Sequence, residues 1–102
     1  MSGSDSAGGE DAIDNEIVIG YNAIGNGSDT VTLGNDDIDN TFLKGAVTQS
    51  ELSADPSDPA EGENCTWQSD GTGSGDSGDI MMKITNSSGT TKTLTWVDFS
   101  LL

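Results

Sequence analysis

One short segment of this chain is written twice. Ile17-Val18-Ile19-Gly20 recurs 14 residues on as Val31-Thr32-Leu33-Gly34. The register continues past these runs, because Ile24 corresponds to Ile38 and Asn26 to Asn40. Ile17, Ile19 and Ile24 thus match Val31, Leu33 and Ile38 in apolar character. Asn22, the stretch 25–29 and Asn35-Asp36-Asp37 are turn formers. Short β-branched runs separated by Gly/Asn turns at a constant period specify a β-solenoid, one coil per period. The glycine after the inward Ile19 and Leu33 suits a tight corner where backbones approach. Two ordinary strands with Gly-rich turns that happen to match are the other arrangement these residues fit.

Two coils fall short of the roughly three that a solenoid needs to be stable. The rest of the chain offers little help. Of 102 residues only 31% are hydrophobic and 5% aromatic, and Cys65 is the sole cysteine, so no intrachain disulfide forms. A chain this small and polar buries a small core alone, and oligomerisation is the usual remedy. Three chains packing their Ile/Leu faces about a common axis would supply the missing interior. The expected trimer core is Ile17, Ile19, Ile24, Val31, Leu33 and Ile38.

Charge narrows the partners. The formal net charge is −15, with 18 acidic residues against Lys44, Lys83 and Lys92, and neither Arg nor His occurs. Phosphate binding needs clustered cations, so nucleic acid is not an expected partner. Anionic membrane surfaces are disfavoured for the same reason, and no apolar run reaches membrane-spanning length. The N-terminal residues read as neither a signal peptide nor a lipidation signal. A trimer carries three times the charge and therefore calls for screening salt, bound cations or a basic partner.

The same residue counts bear on catalysis. Without His there is no Ser-His or Cys-His nucleophile, and zinc sites built from Cys and His are excluded. Gly71-Thr72-Gly73-Ser74-Gly75 lies in an acidic loop that repels phosphate, so it is no P-loop. Carboxylate pairs are plentiful, but so small a subunit is not expected to form a substrate-sized cleft. The expectation is a non-enzymatic protein.

Four segments follow along the chain. Residues 1–15 form an acidic, Ser/Gly-rich flexible arm. Residues 16–47 form the repeat region. Residues 48–63, with Asp55-Pro56 and Asp58-Pro59, read as a linker with turns. Residues 64–102 form a second β module. There, Asp79 to Thr85 alternates, with Ile80, Met82 and Ile84 on one face and Met81, Lys83 and Thr85 on the other. Lys92 to Phe99 alternates again, residues 86–90 read as a hairpin loop, and a third strand runs from Asn64 to Ser69. The expected core of this module is Trp67, Ile80, Met82, Ile84, Leu94, Trp96 and Phe99. An aromatic platform for a glycan is the functional alternative for the tryptophans. The loop 70–79 has two readings. Asp70, Asp76 and Asp79 could ligate calcium as a cofactor through their carboxylate oxygens. Otherwise the loop is a solvated connection, which needs no cofactor.

Residues 17–34 resemble the head repeat of trimeric autotransporter adhesins, which pairs an apolar–Gly corner with Asn-Ala-Ile-Gly, here Asn22-Ala23-Ile24-Gly25. Similar repeats occur in phage tail fibres and other virion proteins, and residues 38–45 resemble the exit from such repeats. The stretches 69–85 and 91–100 resemble a small module appended to phage tail and virion structural proteins. Adhesins carry many more repeats, a coiled-coil stalk and a membrane anchor, which points away from secreted adhesion. The resemblance implies an all-β fold, a short trimeric β-roll followed by a small antiparallel β module. It further implies a homotrimer on a virion surface, serving as a capsid decoration protein, head fibre or tail-fibre tip. Its partners would be itself and other virion proteins of the capsid shell or tail. A calcium- or carbohydrate-binding receptor-recognition module, with a host surface glycan as partner, is the alternative.

Overall fold

The structure is a computed structural model that describes residues 2–4 and 14–102. Among the described residues it is all-β apart from one 3-10 turn, Phe99–Leu101. The chain divides into two units, Met1–Lys44 and Gly45–Leu102. Most of the acidic arm expected over residues 1–15 lies outside the described residues.

In the first unit, β1 (Ser2–Ser4), β2 (Glu16–Ile19) and β3 (Thr30–Leu33) form a sheet in that order. β1 runs antiparallel to β2, and β2 runs parallel to β3. Ile17 lies beside Val31 and Ile19 beside Leu33. The sequence period is therefore the strand register in space. Hydrogen bonds extend that register beyond the strands. Asp14 N–H donates to Ser28 Oγ (3.0 Å), Asn15 Nδ2 to Asp29 Oδ1 (2.9 Å) and Asn35 Nδ2 to the Tyr21 carbonyl (2.7 Å). Asn15 and Asp29 occupy equivalent positions before their strands, with φ of 60° and 63°. Asn and Asp are the side chains that tolerate this left-handed region best after glycine. After the strands, a Cβ on Gly20 would stand 3.1 Å from Gly34 Cα, so the corner requires a residue without a side chain.

Alternation sorts the two faces of β2 and β3. Glu16, Val18, Thr30 and Thr32 are half-buried, whereas Ile17, Ile19, Val31 and Leu33 are exposed. The aliphatic side chains expected to point inward thus lie on the outer face of the single chain. The inner face is closed by polar contacts. Gly27 N–H donates to Glu16 Oε2 (3.1 Å), Asn26 Nδ2 to Thr32 Oγ1 (2.9 Å) and Thr30 Oγ1 to the Gly27 carbonyl (2.8 Å).

In the second unit, β4 (Asn64–Gln68), β5 (Ile80–Thr85) and β6 (Thr91–Val97) form an antiparallel sheet in sequence order. The β5–β6 hairpin turns where the sequence placed it. Asn86 Oδ1 accepts from the N–H groups of Ser88 (2.9 Å) and Thr90 (3.0 Å), a side chain standing in for backbone acceptors. Ile80 pairs with Val97 but Met81 with Thr95, so Trp96 is an extra residue at a bulge.

Residues 48–63 are not a linker. Leu52 bridges Ser69 in parallel, and Leu52 N–H donates to the Gln68 carbonyl (2.9 Å). Gly62 N–H donates to the Thr85 carbonyl, and Thr85 N–H to the Glu63 carbonyl, both at 3.0 Å. Lys83 Nζ donates to the Pro56 carbonyl (2.6 Å) and pairs with Asp58 (3.0 Å). The Asp58 carboxylate is largely in water, so the contact to Pro56 fastens this segment more than the ion pair does.

This cover reverses the expected core. The large apolar side chains that are buried among the described residues are Trp67 and Met81, each 3% exposed. Of the expected core only Trp67 is fully buried. Ile80 and Met82 are half-buried, and Ile84, Leu94, Trp96 and Phe99 are exposed. The face of β5 that carries Met81, Lys83 and Thr85 is the covered one. Both faces of Ile-Met-Met-Lys-Ile-Thr are apolar enough to be buried. On that face the Lys83 side chain reaches the Pro56 carbonyl and Asp58, while the Thr85 backbone extends the ladder to Gly62 and Glu63.

Loop 70–79 is held by its acids. Asp79 is buried and accepts from Phe99 N–H through Oδ1 (2.9 Å) and from Asp76 N–H through Oδ2 (3.0 Å). Asp79→Ala leaves two donors without an acceptor and should cost about 2–3 kcal/mol, read by urea unfolding followed through Trp67. Asp55 accepts from the Ser74 hydroxyl and from Ser74 N–H. These two bonds, the hydroxyl first, hold its carboxyl below the usual range, with the Lys83 charge assisting and burial opposing. A carboxyl depressed in the fold stabilises above its unfolded value, about 3.9, and loses that contribution as pH falls through the folded value. Asp55→Ala should therefore cost about 1–2 kcal/mol at neutral pH, and the difference from the parent should shrink below about pH 4. A pH series of thermal unfolding measures it.

Candidate subunit interface

Parallel neighbours lie about 4.8 Å apart and side chains two residues along a strand share a face. The in-register pairing therefore gathers Ile17, Ile19, Val31 and Leu33 into a two-by-two aliphatic patch. Their exposures run from 41% at Ile17 to 62% at Val31. Ile24 and Ile38, the remaining matched pair, are exposed as well. All six side chains expected at a shared axis are thus left in water by their own chain. They lie outside because the inner face is already taken by Glu16, Val18, Thr30, Thr32 and the 25–27 turn. A chain with so few apolar residues that places them outside is inverted relative to the usual pattern. Completing the burial of each would contribute about 1 kcal/mol, enough over several chains to compete with the cost of association.

The second unit has a comparable face. Met82 pairs with Leu94, flanked by Ile84 and, at the bulge, Trp96. Leu94 is 38% and Trp96 58% exposed, and Phe99 is also exposed. The bulge places Trp96 at the edge strand β6, where its indole is not packed into the chain.

The acidic loop is a different case. Asp70 Oδ1 accepts from Thr72 N–H at 2.8 Å, and both Asp79 oxygens accept from backbone N–H groups. Asp70, Asp76 and Asp79 are not brought together as a ligand set, and among the described residues no three acidic or cysteine side chains converge to hold a metal ion. Carboxylates here satisfy loop donors, the ordinary use of Asp in turns. Residue type alone admitted both uses. Asp55, which anchors Ser74, lay in a segment read as linker, and nothing in its local sequence ties it to the loop. Cys65 is a free thiol, half-buried on β4. Among the described residues no helix is long and apolar enough to cross a membrane.

No protein-family model matches the chain, and searches of curated proteins and of solved structures return no match.

Proposed function

We propose that this protein is a non-enzymatic structural protein of a virion surface, a homotrimer that decorates the shell or projects from it as a short fibre. The observation that carries the reading is the aliphatic patch Ile17, Ile19, Val31 and Leu33, presented by parallel strands in 14-residue register and unpaired within the chain. In this reading the two repeats are two coils of a β-roll, and three copies close their patches about one axis. Ile24 and Ile38 extend that contact. The resemblance of residues 17–34 to trimeric head repeats and of residues 69–100 to virion modules supports the same assembly. The apolar face of β5 and β6 offers a further surface for a neighbouring copy or for the particle. A net charge of −15 per chain favours a basic docking surface and makes assembly depend on salt.

Equilibrium sedimentation at moderate salt should give a trimer; a monomer at every concentration would count against the reading. Ile19→Asp with Leu33→Asp should abolish assembly while far-UV circular dichroism of the second unit's sheet persists. Binding to purified particles, tested by co-sedimentation, should require the assembled form.

A further inference from the structure

The repeat has a third, partial copy. Fourteen residues beyond Thr30-Val31-Thr32-Leu33 stand Lys44-Gly45-Ala46-Val47. Ala46 falls in the small inner column of Val18 and Thr32, and Val47 in the aliphatic column of Ile19 and Leu33. Yet residues 44–47 form no strand and are exposed. β3 is meanwhile an edge strand of its sheet. An open edge offers unpaired N–H and C=O groups to a further strand.

The chain's own turn residues explain why it does not continue. The turn between β2 and β3 uses Gly27 at φ 112° and Asp29 at φ 63°. Their equivalents before Lys44 are Thr41 and Leu43. A β-branched residue is a severe outlier at positive φ, and Leu lacks the local hydrogen bonding that lets Asn and Asp sit there. Ala46 and Val47 thus keep two of the strand positions, Gly45 stands where Ile17 and Val31 are aliphatic, and the turn residues are missing. A strand arriving from another molecule needs no such turn.

We infer that the outer edge of β3 is completed in trans by residues 44–47 of a second copy of this chain, in the register that sets Ala46 beside Thr32 and Val47 beside Leu33. The incoming strand brings Lys44, one of three Lys in a chain without Arg, beside Thr30 at the end of β3 that Asp29 precedes. Gly45 adopts the extended conformation as readily as its present φ of 91°. The inference rests on the proposed trimer, in which each copy passes its strand to the next and the ring closes.

In a Cys65→Ser background, Thr32→Cys and Ala46→Cys place two thiols at neighbouring positions of the proposed parallel pair, within disulfide reach. Mild oxidation followed by mass measurement under denaturing conditions should give covalently linked dimers and trimers. A monomer that has lost two hydrogens would mean that the chain pairs with itself, and would overturn the inference. An unlinked chain that still sediments as a trimer would also overturn it, while leaving the trimer intact. Sedimentation of the unsubstituted chain as a monomer would defeat the trimer itself. Ala46→Pro with Val47→Pro is an independent test. Adjacent strand residues direct their N–H groups to opposite sides, so one proline removes a donor facing β3. Because these positions are exposed and unpaired in the chain, the sheets within each copy should persist. Association should weaken at least tenfold, and unchanged association would overturn the inference.

Discussion

Hydrogen bonds between backbone groups and side-chain carboxylates, hydroxyls and carboxamides hold much of this chain, because little apolar surface is buried inside it. Trp67 and Met81 are the large apolar side chains that the second unit buries, and Ser69, Asp79 and Thr85 are buried beside them. Each of these polar residues is satisfied. Ser69 Oγ accepts from Gly71 N–H (3.0 Å), Asp79 serves Asp76 and Phe99, and the Thr85 and Thr91 hydroxyls share a bond of 2.6 Å. Buried polar groups cost free energy unless paired, so this interior tolerates few changes. Asp55, Asp58, Asp70 and Asp79 each hold backbone or side-chain donors of this unit.

The same condition organises both units. Each builds a sheet, closes one face with its own loops or turns through polar contacts, and leaves the more apolar face outward. In the first unit the closing elements are Glu16, Asn26 and the 25–27 turn. In the second they are residues 52–63 and 70–79, fastened through Lys83, Asp55 and Asp79. What remains outside is apolar in both: Ile17, Ile19, Val31 and Leu33 in one, Ile84, Leu94 and Trp96 in the other. An assembly gains from covering these faces and loses through repulsion among acidic copies. The proposed trimer lives on that balance, in which salt or a basic surface moves the equilibrium.

Much of the local structure was legible beforehand. The hairpin at 86–90 followed from turn residues between two alternating runs, and the third strand expected from Asn64 to Ser69 forms over Asn64–Gln68. The calcium reading of Asp70, Asp76 and Asp79 was not resolvable, because an Asp that caps a loop and an Asp that ligates an ion look alike in a sequence. The linker reading of residues 48–63 failed for a related reason. Asp-Pro pairs announce turns but do not say that the intervening backbone will hydrogen-bond to Thr85, Gln68 and Lys83 far along the chain.

The sequence by itself determined the register of β2 and β3. A repeat of 14 residues with glycine at one corner and Asn or Asp at the other makes equivalent residues neighbours, since like backbone conformations stack on like. It also determined which side chains share a face, because alternation is a property of any strand. Only the tertiary structure decided which face is covered. In β5 both faces carry apolar side chains, and the covered one is the side from which Lys83 meets the Pro56 carbonyl and Asp58 of a distant segment. Those partners are distant in sequence, and no local pattern encodes them.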